Sequence, residues 1–434
     1  MMPSFLQRAI ALIADADWVQ IVRTYWYFIL LDFPRYFIPD LIVVFPEPYR
    51  RFTRAPGEEE FQARMESDPP LVSVVIPVLN EEDTISWTVR SLLEQTYRNL
   101  ELIIVDDGST DSTPGICRRL EEESDRVRYV RFGERSGKSA ALNYGLSLCR
   151  GEFVVFADSD TTFDGDAIYN IIKPFGDPEV GAVSGNLAPR NRGEGLLPGI
   201  QGLEYLFGIE VGRRIRAFFR TLPIVSGAFG AFRREIVSPE GLGGHEPGPG
   251  NDSDLTMRVR KRGYHVTFAP DAYCLTNVPD NWPSLAKQRT RWARNLIKNR
   301  LRKHGDEMNP FSGNFQLRNA ISSIDSIFFH VVLAALTVAY LGDVAFHFPE
   351  AVPTILLVNY AAYFLCEVGQ FILAFILNPS WRTLAVAPYI PLYNPYKIIM
   401  KFVRLAGYAQ ELFFRRSRRD GFAPKKVQGR MIKW

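Results

Sequence analysis

The chain has 434 residues and a formal net charge of only +3, from 51 Lys and Arg against 48 Asp and Glu. So small a surplus leaves no electrostatic footprint for nucleic acid, which is excluded from the expected partners. Four scattered cysteines, Cys117, Cys149, Cys274 and Cys366, lack paired spacing for a metal or redox motif and read as reduced thiols.

The 47% hydrophobic fraction is ordinary for a soluble protein but unevenly spread. Residues 70–300 read as a soluble domain, while residues 320–410 are nearly all apolar or aromatic. The N-terminus lacks the basic stretch, apolar core and small-residue site of a cleavable signal. Residues 24–45 are apolar and aromatic but interrupted by Asp32, Pro34, Arg35, Pro39 and Asp40. A spanning helix needs about 20 mostly apolar residues. The segment is therefore either a tilted or broken span or an aromatic helix in the interface. A charged, Pro-containing linker follows over 47–70.

Leu71–Pro77 (LVSVVIP) is a β-branched run of the buried parallel-strand type. Asn80 is placed to cap a helix running to about Glu94, with Glu81, Glu82 and Asp83 complementing its positive end. Glu101–Val105, Val127–Phe132 and Glu152–Ala157 read as further strands, Ser112–Glu123 and Lys138–Leu148 as helices. This alternation implies a doubly wound parallel sheet, whose ligands bind beyond the carboxyl ends of the strands. Both VDDGSTD and FADSDT fall at such ends. Farther on, Ile327–Phe346 and Pro353–Leu377 are long enough to span a bilayer as a hairpin. Residues 384–407 mix prolines, tyrosines and lysines with apolar residues and read as an interfacial element. The basic segments Arg294–His304 and Arg415–Lys433 flank the apolar region, so positive-inside placement puts both on the cytoplasmic side with an even number of crossings between them.

Four constellations carry chemistry. Asp106-Asp107-Gly108-Ser109-Thr110-Asp111 is a polar turn with a glycine for its bend, and a place for a ligand. Asp158-Ser159-Asp160 sets two carboxylates one residue apart at a strand end, where they can converge on a hard divalent cation bridging a diphosphate. In Asn251-Asp252-Ser253-Asp254, Asp252 can act as a base, and helix capping is the plainer reading. In Gln288-Arg289-Thr290-Arg291-Trp292 a helix turns Gln288, Arg291 and Trp292 to one side, an amide, a guanidinium and an indole suited to hydroxyls, phosphate and a pyranose face. A membrane-surface helix would use the same residues. Gly137-Lys138-Ser139 invites a P-loop, but only three residues separate Gly133 from Gly137 where four are needed. Lys138 remains a phosphate contact at a helix start.

In order along residues 70–305, IPVLNEE, VDDGSTD, GKSAALN, ADSD, VSGAFGAFRRE, NDSDLTMRV and QRTRW resemble the processive branch of the inverting family-2 glycosyltransferases. That branch includes cellulose, hyaluronan, chitin-oligosaccharide and poly-N-acetylglucosamine synthases. The resemblance implies an α/β fold: a GT-A (Rossmann-like, doubly wound) cytosolic domain with C-terminal transmembrane and interfacial helices. It implies a UDP-sugar donor contacted by Glu82, Asp106, Asp107 and Lys138, and Mg²⁺ or Mn²⁺ with the diphosphate at Asp158 and Asp160. Asp252 is then the general base, and Ser226, Gly227, Gln288, Arg291 and Trp292 bind the acceptor and the leaving diphosphate. Many relatives carry an acidic residue just before the base, and here Asn251 stands there.

These readings divide the chain into an N-terminal membrane-associated helix and linker (1–66), the GT-A domain (67–308), a transmembrane hairpin with an interfacial helix (309–412) and a basic cytosolic tail (413–434). The expected partners are the donor, a glycan acceptor (or a membrane lipid), the lipid bilayer and an export subunit. The expected location is the inner cell membrane, multi-pass, with the catalytic domain cytoplasmic. A single-transfer enzyme acting on a membrane lipid is the nearest rival. A nucleotide-driven transporter and a non-catalytic membrane scaffold are rivals of another class. Glu367 and Gln370, inside an apolar span, either line a glycan path or bond a neighbouring helix.

Overall fold

The computed structural model describes residues 17–34, 38, 57–237, 241, 250–313 and 315–419. Helix α1 (Trp18–Tyr27) is capped by Asp17, which accepts from the Gln20 N–H at 2.8 Å. Then β1 (Val72–Val78), α2 (Ile85–Leu93), β2 (Leu100–Asp106), α3 (Thr113–Glu123), β3 (Val127–Arg131), α4 (Lys138–Leu148) and β4 (Phe153–Ala157) alternate as the hydrophobic pattern predicts. The second half follows with β5 (Thr162–Phe163), β6 (Val180–Pro189), α5 (Leu196–Tyr205), α6 (Gly212–Phe218), β7 (Phe229–Arg233), α7 (Asn251–Lys261), β8 (His265–Thr276) and α8 (Trp282–Ile297).

The strands form one sheet in the order β3-β2-β1-β4-β7-β6-β8-β5. The first four are parallel neighbours, as expected. The sheet as a whole is mixed, because β7 enters antiparallel between β4 and β6. The strand–helix alternation covers only the first half of the domain. β7 returns after the helical excursion through α5 and α6, where no single crossover helix fixes its direction. Side chains of β1 alternate between two buried faces. Val74 and Ile76 join Val89 and Leu92 on one face, while Val75, Ile103 and Val105 meet Leu142 and Leu146 on the other.

Asn80 is not a helix cap. It has a φ of 53°, and Thr84 directly precedes α2. Asparagine tolerates this left-handed conformation because its short amide bonds locally. Here its Oδ1 accepts from the Thr110 N–H at 2.8 Å and its own N–H donates to Ser109 Oγ at 3.0 Å, tying the β1 and β2 loops together.

Two helices are long and apolar enough to cross a membrane, α9 (Leu317–His347) and α10 (Val352–Leu377). Their outer ends attach to the same domain: the Arg260 guanidinium donates to Asn319 and Ser322 at the start of α9, and Arg382, just past α10, to Asp164 at 2.9 Å. Helix α1 lies along the pair, with Tyr27 donating to the Leu333 carbonyl at 3.1 Å and Tyr363 to Asp32 at 2.5 Å. The described part of the 24–45 segment is thus helical, and its remainder lies outside the described residues. Residues 384–407 largely fall in α11 (Ile390–Phe414), which packs on α8: a Cβ on Gly407 would stand 2.8 Å from the Ala293 Cβ. Tyr393, Tyr396, Met400 and Tyr408 are buried on α11, so its aromatic face serves the domain. The tail beyond residue 419 lies outside the described residues.

Close packing of α4 on β1 requires Gly145, where a Cβ would meet Val75 Cγ1 at 2.4 Å. Gly145→Ala should lower stability by about 1–3 kcal/mol, read as a lower thermal unfolding midpoint of the detergent-purified protein.

Candidate active site

The loop after β2 is built from its own carboxylates. Asp106 is fully buried, accepts from the Ser109 N–H at 2.7 Å and Tyr129 OH at 2.8 Å, and lies 3.4 Å from Arg131. Gly108 makes the bend at a φ of 85°. Asp107 faces the other way and accepts from the Ser136 and Gly137 N–H groups at 2.6 and 2.9 Å. Burial pushes Asp107 above the usual aspartate range, against those two donors. Of the two, only Asp107 lines the large cavity at the sheet's carboxyl edge. Glu82 likewise turns away, accepting from the Ser112 N–H at 2.8 Å, and its neighbour Glu81 lines the cavity instead.

Because β1 separates β2 from β4, Asp107 and the Asp158-Ser159-Asp160 turn flank the end of β1. Lys138, first residue of α4, bonds Asp158 across this gap. Burial draws the ammonium down, but Asp158, Asp252 and Asp160 outweigh it and hold Lys138 above its ordinary value. Asp160 is pushed up, first by burial and then by Asp158. Glu81 is pushed up by burial and by the same two aspartates.

Asp252 stands in the first turn of α7, accepting from the Ser253 N–H at 2.8 Å. A Cβ on Gly227 would lie 3.6 Å from Asp252 Oδ2, so the Ser226–Gly227 loop lies against the carboxylate. Burial pushes Asp252 up, and Lys138 and Arg291 pull it back. Asn251 donates to Ser139 Oγ, so the amide that replaces the expected acid ties α7 to α4. Asp254 does not cap: it is buried against His304 at 2.7 Å, Lys303 at 2.8 Å and Arg258 at 3.3 Å.

From α8, Gln288, Arg291 and Trp292 all line the cavity. Pattern reading missed Arg289, which organises them. Its buried guanidinium lies 4.3 Å from the Trp292 ring centroid, donates to Gln288 Oε1 at 3.1 Å, and pairs with Glu204 at 2.6 Å. Glu204 also accepts from Tyr396 at 2.7 Å and Arg404 at 2.8 Å. Burial raises Glu204, but Arg289 and Arg404 more than offset this and keep it below the usual glutamate range. The QRTRW pattern gave no sign of an acid partner for Arg289 85 residues upstream.

The cavity has a volume of about 1490 Å³ and gathers Glu81, Asp107, Lys138, Asp158, Asp160, Ser226, Gly227, Asp252, Gln288, Arg291 and Trp292 on one surface. It continues past them to His330 and Ala334 on α9, Gln370 on α10 and Lys397 on α11. Glu367 is 2.8 Å from Lys397 and does not line it.

Residues 73–239 match the family described as glycosyl transferase family 2. The chain carries a glycosyl transferase family 2 domain. Asp252 and the Gln288–Trp292 segment lie beyond the matched residues of this domain, yet share its cavity. A poly-beta-1,6-N-acetyl-D-glucosamine synthase of Staphylococcus aureus (strain MSSA476) is 33% identical over 223 residues, 51% of this chain and 53% of that protein. The protein of the same description from Staphylococcus epidermidis is 31% identical over the same length. The chain thus spans about half the length of these curated relatives. A solved structure, the mannosyltransferase PcManGT from Pyrobaculum calidifontis in complex with GDP-Man and Mn²⁺, superposes with a TM-score of 0.56 over 88% of this chain and 96% of that one, at 23% identity. The fold of the family 2 domain is therefore the expected α/β GT-A fold, here with two apolar helices behind it.

Among the described residues no three His, Cys, Asp or Glu side chains converge as a complete metal cage. Asp158 and Asp160 still fit a hard divalent cation, since Mg²⁺ typically takes one or two carboxylates and completes its shell with phosphate oxygens. Asp160 stands above its usual range first through burial and then through Asp158, so two close carboxylates share the turn, as suits such a cation.

Asp254 is held well below the usual aspartate range: burial opposes this, but His304, Lys303 and Arg258 prevail. A depressed folded pKa stabilises fully above the unfolded value of about 3.9 and is lost as pH falls through the folded value. Asp254→Ala, which strands those cations, should cost about 3–5 kcal/mol at neutral pH. The gap from wild type should close in acid, as shown by unfolding midpoints at a series of pH values.

Proposed function

We propose that this protein is a membrane-bound inverting glycosyltransferase that moves a sugar from a nucleotide diphosphate to the hydroxyl of a growing β-linked glycan. The observation that carries the reading is the meeting, in one cavity of a family 2 domain, of the Asp158–Asp160 pair, Lys138, Asp252 and the Gln288–Trp292 segment. Asp107 and Lys138 bind the nucleotide end of the donor, with Asp106 and Glu82 shaping the loops that hold it. Asp158 and Asp160 hold Mg²⁺ or Mn²⁺. When bound there, the cation neutralises the charge that develops on the leaving diphosphate.

Asp252 accepts the proton of the attacking hydroxyl, so that oxygen attacks the anomeric carbon in line as the bond to diphosphate breaks. Ser226 and Gly227 line the acceptor side, and Trp292 offers its ring face to the acceptor sugar. Arg291 meets the diphosphate. Arg289, fixed by Glu204, is a positioning residue for Gln288 and Trp292. A UDP-N-acetylhexosamine is the first donor to test, because the staphylococcal relatives are named for an N-acetylglucosamine polymer. GDP-mannose is the second, from the ligand of the solved mannosyltransferase. The helices α9 and α10 cross the membrane as a hairpin, both ends meeting the domain, which leaves that domain on the cytoplasmic face. A single transfer to a membrane lipid is the second reading, favoured by the continuation of the cavity to residues of α9 and α10.

The burial that raises Asp252 sets a pH signature. The base works deprotonated, so kcat/KM should rise with pH along an acid limb displaced above the ordinary aspartate value of 3.8. Asp252→Asn should lower kcat by roughly 10²–10⁴-fold with donor KM nearly unchanged. A variant as active as wild type would remove Asp252 from the reaction.

Nucleotide release from UDP-N-acetylglucosamine, UDP-glucose and GDP-mannose, with Mg²⁺, Mn²⁺ or excess chelator, tests the reaction itself. Cation-dependent release from one donor with a long product supports the polymer synthase, whereas one defined glycolipid moves the enzyme to the second reading. Turnover undiminished by chelator would take the cation out of the site.

A further inference from the structure

Several cations lining the membrane-side part of the cavity have acidic partners. Lys397 meets Glu367 at 2.8 Å, Lys401 meets Asp32 at 3.5 Å, Arg404 meets Glu204 at 2.8 Å, and Arg216 meets Asp325 at 3.8 Å. Arg300 and Arg213 differ. Arg300 is fully enclosed and donates to the Ser323 hydroxyl and the Pro223 carbonyl, whereas Arg213, on α6, is only half-buried and so within reach of a ligand. The Arg213 guanidinium donates to the Ser184 hydroxyl at 2.7 Å and the Gly185 carbonyl at 3.0 Å, both neutral, and among the described residues it enters no ion pair. Burial draws Arg213 down to about 10, which leaves it charged at neutral pH. A half-buried charge without a counter-ion is costly, and such groups concentrate where a ligand supplies the missing charge.

Position says which ligand. Ser184 Oγ, which accepts from Arg213, also accepts from the Ser226 N–H at 3.2 Å. Arg213 is therefore one hydroxyl away from the Ser226–Gly227 loop that lies against Asp252. Asp252 is the carboxylate that most favours its charge. The nucleotide end of the donor belongs to Asp107 and Lys138, on the parallel half of the sheet. The same membrane-side part of the cavity also carries apolar side chains, Phe207, Phe329, Ala334 and Met400, among the paired cations.

We infer that the acceptor carries an anionic oxygen group, phosphate or carboxylate in type, close to the hydroxyl it presents to Asp252, and that Arg213 selects for it. The inference rests on the transferase reading above. The anion has two sources: a lipid headgroup, with its chains against those apolar side chains, or an acidic sugar at the end of a glycan.

The full chain in detergent, with its best donor, is offered four acceptors: phosphatidylglycerol vesicles, vesicles of a neutral glucosyl diacylglycerol, an oligosaccharide ending in glucuronic acid, and its glucose-ended counterpart. One anionic acceptor should exceed its neutral partner in kcat/KM by about 10-fold or more, and its identity names the source. Charge-assisted hydrogen bonds of this kind correspond to roughly 10- to 100-fold. Arg213→Gln should lose that much on the anionic acceptor and bring the anionic-to-neutral ratio near one, with a smaller change in donor KM. Arg213→Lys, which keeps the charge, should restore part of the ratio and shows that the loss is not misfolding. Equal use of anionic and neutral acceptors by wild type, or an Arg213→Gln effect confined to donor KM, overturns the inference and leaves the transferase standing. Wild type that neither transfers nor hydrolyses any donor removes the transferase reading, and the inference with it.

Discussion

Glu81, Asp158, Asp160 and Asp252 line the same cavity as Lys138, and the surrounding structure is arranged around this excess of negative charge. Close carboxylates destabilise one another unless cations or hydrogen bonds compensate them. Asp106 and Asp107 are each hydrogen-bonded within these loops, though Asp107 also faces the cavity and burial holds it above its usual range. Asp106 is turned inward onto Ser109, Tyr129 and Arg131, and Asp107 is saturated by backbone donors. The acids that face the cavity, Glu81, Asp107, Asp160 and Asp252, all lie above their usual ranges, first because they are buried there and then, for Glu81, Asp160 and Asp252, because of neighbouring carboxylates. Under the proposed function, a divalent cation would offset this charge at one end and Asp252 would take up a proton at the other.

The same logic ties the domain to its helices. Arg260, at the C-terminal end of the helix that carries Asp252, is buried and satisfied by Asn319 and Ser322 of α9. Asp254, two residues from Asp252, is clamped by Lys303 and His304 just before α9. Glu204 binds α8 to α11 through Arg289, Tyr396 and Arg404. Each link is a buried, charge-assisted contact whose loss leaves an unpaired group, so these joints resist slippage more than apolar packing does. The proposed base is thereby referenced to the apolar hairpin, and the acceptor-side helix α8 to α11.

Local pattern was enough for the first half of the fold. β-branched runs such as VSVVI and LIIV, each followed by a polar turn and an amphipathic stretch, specify β1 to β4 and the helices between them without tertiary knowledge. The apolar lengths of α9 and α10 were equally plain, since a run of that kind has few alternatives. Asp158 and Asp160 stood out because an acidic pair has little structural reason to follow an apolar strand, whereas Lys138, Asp252 and QRTRW, each with a plainer local reading, stood out through their order in the family resemblance.

Tertiary structure decided the rest, because it turns on partners far apart in sequence. Strand direction in the second half depended on how β7 enters between β4 and β6, which no local period encodes. Of two adjacent aspartates, only Asp107 faces the cavity, and of two adjacent glutamates only Glu81. Side chains at neighbouring positions look alike until their bonding partners are known. Arg289 owes its place to Glu204, and Arg213 is set apart from Lys397, Lys401, Arg404 and Arg216 only because those four have carboxylate partners. The sequence by itself determined which charged groups the protein owns and the elements that carry them. Only the folded chain decided which charges cancel one another and which are left for a ligand, because compensation is a matter of distance in space.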